Sequence, residues 1–167
     1  MKFSLFSTPL GPLGVVRSHK GLCRIDFHPG STIVFKEKVA SLYGEEPFHD
    51  PRGFMDLGSQ ISAYFEGSLE GFKIPLDFSA LSAFHERVLL TLRTVPFGQT
   101  LSYSSLAIKS GHPKAFRAVG TACARNPLPL VIPCHRVIGK NRKLGGFSGG
   151  LEIKRRLLRH EGSKFIE

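Results

Sequence analysis

The chain has 167 residues, 41% of them hydrophobic, which is room for one generous domain or two small ones around an ordinary core. No apolar run is long enough for a bilayer, and the stretch Met1–Pro9 is too short and too soon broken to be a secretion signal, so neither a membrane nor a secreted protein is indicated. The net charge of +10 is unevenly held: residues 1–81 carry 8 Lys and Arg against 9 Asp and Glu, a balance of −1, whereas residues 82–167 carry 15 against 4, a balance of +11 that calls for a polyanionic partner.

The first part reads as short strands. Phe3–Phe6 and Gly14–Arg17 flank a link made turn-rich by Pro9, Gly11 and Pro12, and residues 21–27 alternate apolar and polar as a half-buried strand does. Links this short predict an antiparallel meander. Phe54, Leu57, Ile61, Tyr64 and Phe65 recur at helical spacing up to Gly67. Pro75 keeps Ile74–Phe78 extended. The domain boundary is set near Ser79–Ser82, giving domains 1–81 and 82–167.

The second part is mainly helical. Phe84, Val88, Leu89 and Leu92 form one stripe, with Ser82 as N-cap. Ser102 caps a short helix carrying Tyr103, Leu106, Ala107 and Ile108, which Gly111 ends, and Pro113 suits the first turn of the next helix. Two short helices around a tight turn are a helix-turn-helix pattern. In the second helix Phe116, Val119 and Cys123 share a face read as core. Lys114, Arg117 and Thr121 lie on another, and small residues at 115, 118, 120 and 122 allow close approach to a nucleic-acid backbone.

A proline-stiffened link, Arg125–Leu130, leads to the run Val131-Ile132-Pro133-Cys134-His135-Arg136-Val137-Ile138. Its apolar flanks place it in the interior, and Pro133 puts Cys134 at a bend. A thiol attacks only as thiolate, and His135 and Arg136 beside the sulfur would favour that form. The three cysteines, Cys23, Cys123 and Cys134, include no C-x-x-C pair, so neither a disulfide framework nor a zinc site is signalled, and a reducing, cytoplasmic setting is expected (nuclear in a eukaryote). The glycines at 145, 146, 149 and 150 surround Phe147 and Ser148 and let backbone approach a ligand. Residues 151–162 read as a helix with Leu151, Leu157 and Leu158 inward and its cations either solvated or on phosphates.

These motifs resemble those of the O6-alkylguanine-DNA alkyltransferases, also called methylated-DNA–protein-cysteine methyltransferases. The resemblance runs from about Val95 to Gly162, through Pro-Phe-Gly-x-x-x-Ser-Tyr at 96–103, Lys-Ala-x-Arg-Ala-Val-Gly at 114–120, Asn-Pro at 126–127, Ile-Pro-Cys-His-Arg-Val at 132–137, Gly-Phe-Ser-Gly-Gly at 146–150 and His-Glu-Gly at 160–162. The first eighty residues share only a strand-then-helix layout with the family. The resemblance implies an α+β chain: a small antiparallel-sheet, ribonuclease-H-like N-terminal domain and a helical C-terminal domain with a winged helix-turn-helix. It implies a DNA-repair methyltransferase, without cofactor, that takes an alkyl group from O6-alkylguanine, and possibly O4-alkylthymine, irreversibly onto one cysteine after base flipping. Its expected partner is double-stranded DNA, bound as a monomer through the minor groove.

The same resemblance implies residue roles. Cys134 would be the acceptor, His135 the base acting through a water, and Glu161 its polarising partner. Asn126 would tie the DNA helix to the site, and Tyr103 would crowd the target phosphate and donate a proton to guanine. Arg117 would fill the space of the flipped base, beside Lys114, Ala115, Gly120 and Thr121 on the DNA. The base pocket would comprise Tyr103, Cys123, Pro129, Val137, Phe147 and Ser148. Zinc-binding members use Cys and His ligands in the N-terminal domain; here Cys23, His19 and His28 lack a fourth ligand, so no metal is expected. Two other readings stay open: a DNA-binding regulator whose cysteine only packs, and a cysteine hydrolase, which would want an oxyanion hole and would turn over.

Overall fold

A computed structural model describes residues 1–166. The chain divides into two compact units, Met1–Ser79 and the part from Ala80 onward. In the first unit, strands β1 (Lys2–Thr8), β2 (Gly11–Arg17) and β3 (Leu22–Phe27) form the antiparallel meander that the short links dictate. The sheet is not purely antiparallel: a two-residue strand, β4 (Phe48–His49), joins the free edge of β1 in parallel, giving the order β3-β2-β1-β4. A parallel neighbour needs a crossover. Helix α1 (Thr32–Tyr43) supplies it, an element absent from the strand-rich expectation for this part. Its signals were present: Ser31 accepts from the Val34 N–H as N-cap, Gly44 closes the last turn in the left-handed region, and Phe35 and Val39 recur at i, i+4. Phe3, Val16, Cys23, Phe35 and Val39 pack there as one buried cluster. Helix α2 (Met55–Phe65) buries Leu57, Ile61 and Tyr64, the stripe its spacing predicts.

In the second unit, α3 (Ala83–Arg93) starts at the Ser82 cap and buries Val88, Leu89 and Leu92. Strand β5 (Leu101–Ser102) runs into α4 (Tyr103–Lys109), whose N-cap is the Ser102 hydroxyl. The turn after α4 is pinned from α3. Arg87 Nε donates to the Ser110 carbonyl at 3.1 Å, and Phe84 meets His112 edge-on. Helix α5 is Phe116–Ala124, strand β6 is Val137–Ile138 and helix α6 is Leu151–His160. Among the described residues no helix is long and apolar enough to cross a membrane.

Several packing expectations need correction. Pro113 lies in the turn ahead of α5, because the chain must still reverse at 112–115 before the helix begins. Phe116 and Leu151, expected inward, point to solvent at 48% and 43% exposure, as does Ile108 at 64%. Each lies in the first or last turn of a short helix, beyond the neighbours that bury the central stripe. Ala122 is instead buried, and His85 Nε2 bonds its carbonyl, so it belongs to the core and not to a nucleic-acid face.

Candidate active site

The site is built from the chain around Cys134. Asn126 is buried and clamps the link that precedes the cysteine: its Nδ2 donates to the Ile132 carbonyl at 2.9 Å and its Oδ1 accepts from Leu128 N at 2.9 Å. Within that clamp Leu130 takes a left-handed backbone (φ 77°), a cost of about 1–3 kcal/mol that the surrounding bonds must hold. Pro133, at φ −80°, ψ 63°, centres an inverse γ-turn closed by Cys134 N on the Ile132 carbonyl at 2.8 Å. Cys134–Arg136 then form a single 3₁₀ turn. The bend expected from Pro133 is thus two consecutive tight turns. Strand β6 leaves this turn and pairs in parallel with β5, Leu101 opposite Val137. That pairing brings Tyr103, the next residue after β5, to the cysteine.

Glu161 is the hub of the charges. It follows α6, is buried, and accepts from His135 Nε2 at 2.8 Å, from Arg136 Nε and Nη2 at 2.9 Å each, and from Gly98 N at 3.3 Å. Gly98 has φ +75°, and a Cβ there would stand 2.9 Å from the Glu161 carbonyl, so this approach demands glycine. Burial would raise the Glu161 carboxyl, but the bonds and charges of His135 and Arg136 outweigh it and hold it well below its usual range. Burial lowers His135, against the pull of Glu161. A neutral imidazole facing a carboxylate donates through Nε2–H. Its Nδ1 is therefore the lone-pair atom, and it is buried with no hydrogen-bond partner in the protein.

The expected charge around the sulfur is corrected here. Arg136 is turned away, committed to Glu161 and to the Val95 carbonyl at 2.5 Å, and His135 is neutral. Burial dominates and pushes the Cys134 thiol up to about 11, against the Asn126 amide and the charge of Lys154. Cys134 therefore rests as a thiol with a base beside it.

Lys154 is a functional residue that the motifs do not single out: it resembles the other cations of the tail, yet 154, 157, 158 and 161 are one helical stripe, and a lysine on a buried stripe is a legible signal. Its side chain is fully buried, with Nζ donating to the Val137 carbonyl at 2.6 Å and the Gly146 carbonyl at 3.1 Å. Burial lowers it to about 8. It ties β6 and the glycine-rich loop to α6.

Cys134 opens onto a cavity of about 460 Å³ lined by Tyr103, Phe116, Gly120, Cys123, Ala124, Cys134, Gly146, Phe147 and Ser148. That size suits a small-molecule or base ligand. Tyr103, Cys123, Phe147 and Ser148 are thus brought together as expected from the resemblance. Pro129 and Val137 are buried and do not line the cavity; Val137 turns its carbonyl to Lys154. Tyr103 is raised by burial and then by the facing thiols, which keeps it a neutral O–H donor. Gly145, at φ +66°, lets the loop pass so close that a Cβ would lie 3.2 Å from Tyr103 Oη. On α5 and the turn before it, Lys114, Arg117 and Thr121 are exposed, while Ala115 and Gly120 are half-buried. Cys23 is elsewhere, on β3, with its thiol on the Val16 carbonyl, and His19 and His28 are exposed. Among the described residues no group of three or more His, Cys, Asp or Glu is placed to hold a metal ion.

Two family models cover nearly the whole chain: "6-O-methylguanine DNA methyltransferase, ribonuclease-like domain" matches residues 1–78, and "6-O-methylguanine DNA methyltransferase, DNA binding domain" matches residues 83–163. The chain belongs to the 6-O-methylguanine DNA methyltransferase family. A methylated-DNA–protein-cysteine methyltransferase of Methanosarcina acetivorans is 38% identical over 163 residues, covering 98% of this chain and 99% of that protein. The structure of Mycobacterium tuberculosis OGT in complex with DNA is similar with a TM-score of 0.82 at 35% identity, over 97% of this chain and 93% of that one. The O6-methylguanine-DNA methyltransferase of Pyrococcus kodakaraensis gives 0.76 at 27% identity, over 96% and 99%. The small sheet domain and helical DNA-binding domain of the family are those described above.

Proposed function

We propose that Cys134 is the alkyl acceptor of this DNA-repair methyltransferase, and that the 460 Å³ cavity receives an O6-alkylguanine swung out of duplex DNA. The observation that carries this reading is the arrangement at the cysteine. A thiol on a base-sized cavity stands beside a neutral histidine whose Nε2–H is held by Glu161 and whose Nδ1 has no protein partner. A hydrogen bond from Nε2–H to a carboxylate makes Nδ1 more basic, the activation logic of other thiol nucleophiles. The Cys134 proton passes through a water to Nδ1 as the S–C bond forms in line with the breaking C–O6 bond. Tyr103, held neutral, donates its proton to the departing guanine, which is otherwise a poor leaving anion. The thioether product is not cleaved by cellular reductants, so each molecule acts once.

A base buried in the stack is beyond reach of the thiol, so the nucleotide must be extruded, at a cost of a few kcal/mol. Arg117, exposed on α5, fills the gap in this reading, with Lys114, Ala115, Gly120 and Thr121 along the backbone in the minor groove. The protein works as a monomer, in the cytoplasm or, in a eukaryote, the nucleus. Domains 1–81 and 82–167 divide the work, the second holding both DNA and cysteine.

The test is incubation with duplex DNA carrying labelled O6-methylguanine, followed by peptide mass analysis. One equivalent of label on Cys134 is expected, and Cys134→Ser should abolish transfer while leaving DNA binding intact. Label on Cys23 or Cys123 would overturn the assignment. No label at all would favour a DNA-binding regulator, and turnover beyond one equivalent a hydrolase.

A further inference from the structure

Phe116 is a large aromatic that the fold leaves 48% exposed at the first residue of α5. Leaving such a ring in water forgoes burial energy that helical packing could have gained. The ring is also a wall of two cavities. One is the cavity of Cys134. The other, of about 810 Å³, is bounded by β5, the start of α4, the loop at 140–142 and Lys164. Tyr103 is the other residue common to both. The two spaces differ in chemistry. The larger presents Lys140, Arg142 and Lys164, whereas among the described residues no charged side chain lines the smaller. A nucleotide has the same division, with phosphate at one end and a flat base at the other. The guanidinium of Arg117 lies over the Phe116 ring at 5.8 Å, so one face of the ring is already open to a partner.

We propose that Phe116 is the stacking platform of the extruded base: the base lies against the phenyl ring as it crosses from the cationic cavity into the pocket of Cys134. This rests on the function proposed above, since it concerns the same pocket. A wedge that only opened the duplex would act before extrusion. A platform that holds the extruded base acts on any strand, paired or not.

The experiment measures the rate at which Cys134 is alkylated by O6-methylguanine in a single-stranded oligonucleotide and in the matching duplex. Phe116→Ala should slow both substrates by roughly 5- to 150-fold, the range given by loss of one base–aromatic stack. Phe116→Tyr should keep the wild-type rate, and Phe116→Leu, which retains apolar bulk without a π-face, should be slow. The Phe116→Ala loss should persist in an Arg117→Ala background, which excludes an effect relayed through that guanidinium. Melting temperature checks that the variants fold, and the conservative Tyr and Leu pair keeps the comparison available if the alanine variant does not. Slowing confined to the duplex, or full rescue by leucine, would overturn the platform, as would a Phe116→Ala rate equal to wild type. Failure of the proposed function itself looks different: wild-type Cys134 would stay unlabelled on both substrates.

Discussion

At the residue scale the site turns on one buried carboxylate. Glu161 sees four donors, and removing its charge leaves the Arg136 guanidinium buried without its counter-ion. Breaking one side of a buried pair costs about 3–5 kcal/mol. Glu161→Gln should therefore lower stability by about that much at pH 7, read by denaturant unfolding, and should slow transfer because His135 Nδ1 loses basicity. The pH dependence has a definite sign. The folded carboxyl lies below its ordinary 4.5, so its stabilisation is present above 4.5 and lost as pH falls through the folded value. His135 is lowered from 6.5, so the unfolded chain takes up that proton first and stability also falls as pH drops below 6.5. Wild-type melting temperature should decline from about pH 6.5 downward and more steeply below 4.5, and its gap to Glu161→Gln should narrow there. A gap independent of pH would mean that the carboxylate does not set it.

At the scale of elements, the cysteine turn is held by neighbours distant in sequence. Helix α6 reaches it through Lys154, whose ammonium serves the carbonyls of Val137 and Gly146. Lys154→Ala would strand the buried Val137 carbonyl at about 1–3 kcal/mol and release the more open Gly146 carbonyl as well. The expected outcome is a marked fall in melting temperature together with loss of alkylation rate, since β6 and the loop carrying Phe147 and Ser148 are released together. An unchanged melting temperature would mean that water replaces the amine. Helix α5 is read by a different comparison. Arg117→Ala should slow repair of a paired lesion more than repair of a single strand, because a single strand needs no extrusion. Equal slowing would reduce Arg117 to a phosphate contact. The paired and single-stranded substrates thus separate the two neighbours on α5, with Phe116 acting on both and Arg117 on the duplex.

At the scale of the molecule, residues 82–167 carry the +11 balance, and alkyl damage arises in any sequence context. Binding should therefore rest on phosphates, which carry no sequence information. Affinity for undamaged duplex should fall by about 0.9 log units per log unit of salt for each phosphate neutralised, a slope of about −4 to −5 if about four to six are contacted. Scrambling the DNA sequence should change little. A slope near zero, or strong preference for one sequence, would favour a regulator. Not every cation contributes: Lys154 and Arg136 are buried and bonded within the protein, so the charge facing DNA is smaller than the sequence total.

The sequence by itself determined the meander, α2 and α3, the caps at Ser82 and Ser102, and the bend at Pro133. Each follows from short-range rules: alternation, i, i+4 spacing, a capping hydroxyl, a fixed proline φ. The resemblance its motifs carry grouped Cys134, His135, Glu161, Asn126 and Tyr103, and the fold brings Cys134 and Tyr103 to one cavity while Glu161 joins His135. The tertiary structure decided what those rules cannot reach. Helix ends lie outside the packed stripe, so Phe116, Ile108 and Leu151 are exposed despite their apolar character. Adjacency in sequence did not fix direction: Arg136 follows His135, yet its guanidinium is spent on Glu161 and the Val95 carbonyl and not on the sulfur. Lys154 stands on a stripe legible in the sequence, but only the fold shows what its buried ammonium holds, the carbonyls of Val137 and Gly146. Burial, a property of the whole packed unit, then set the resting state of Cys134 as a thiol, where local charge alone had suggested a thiolate.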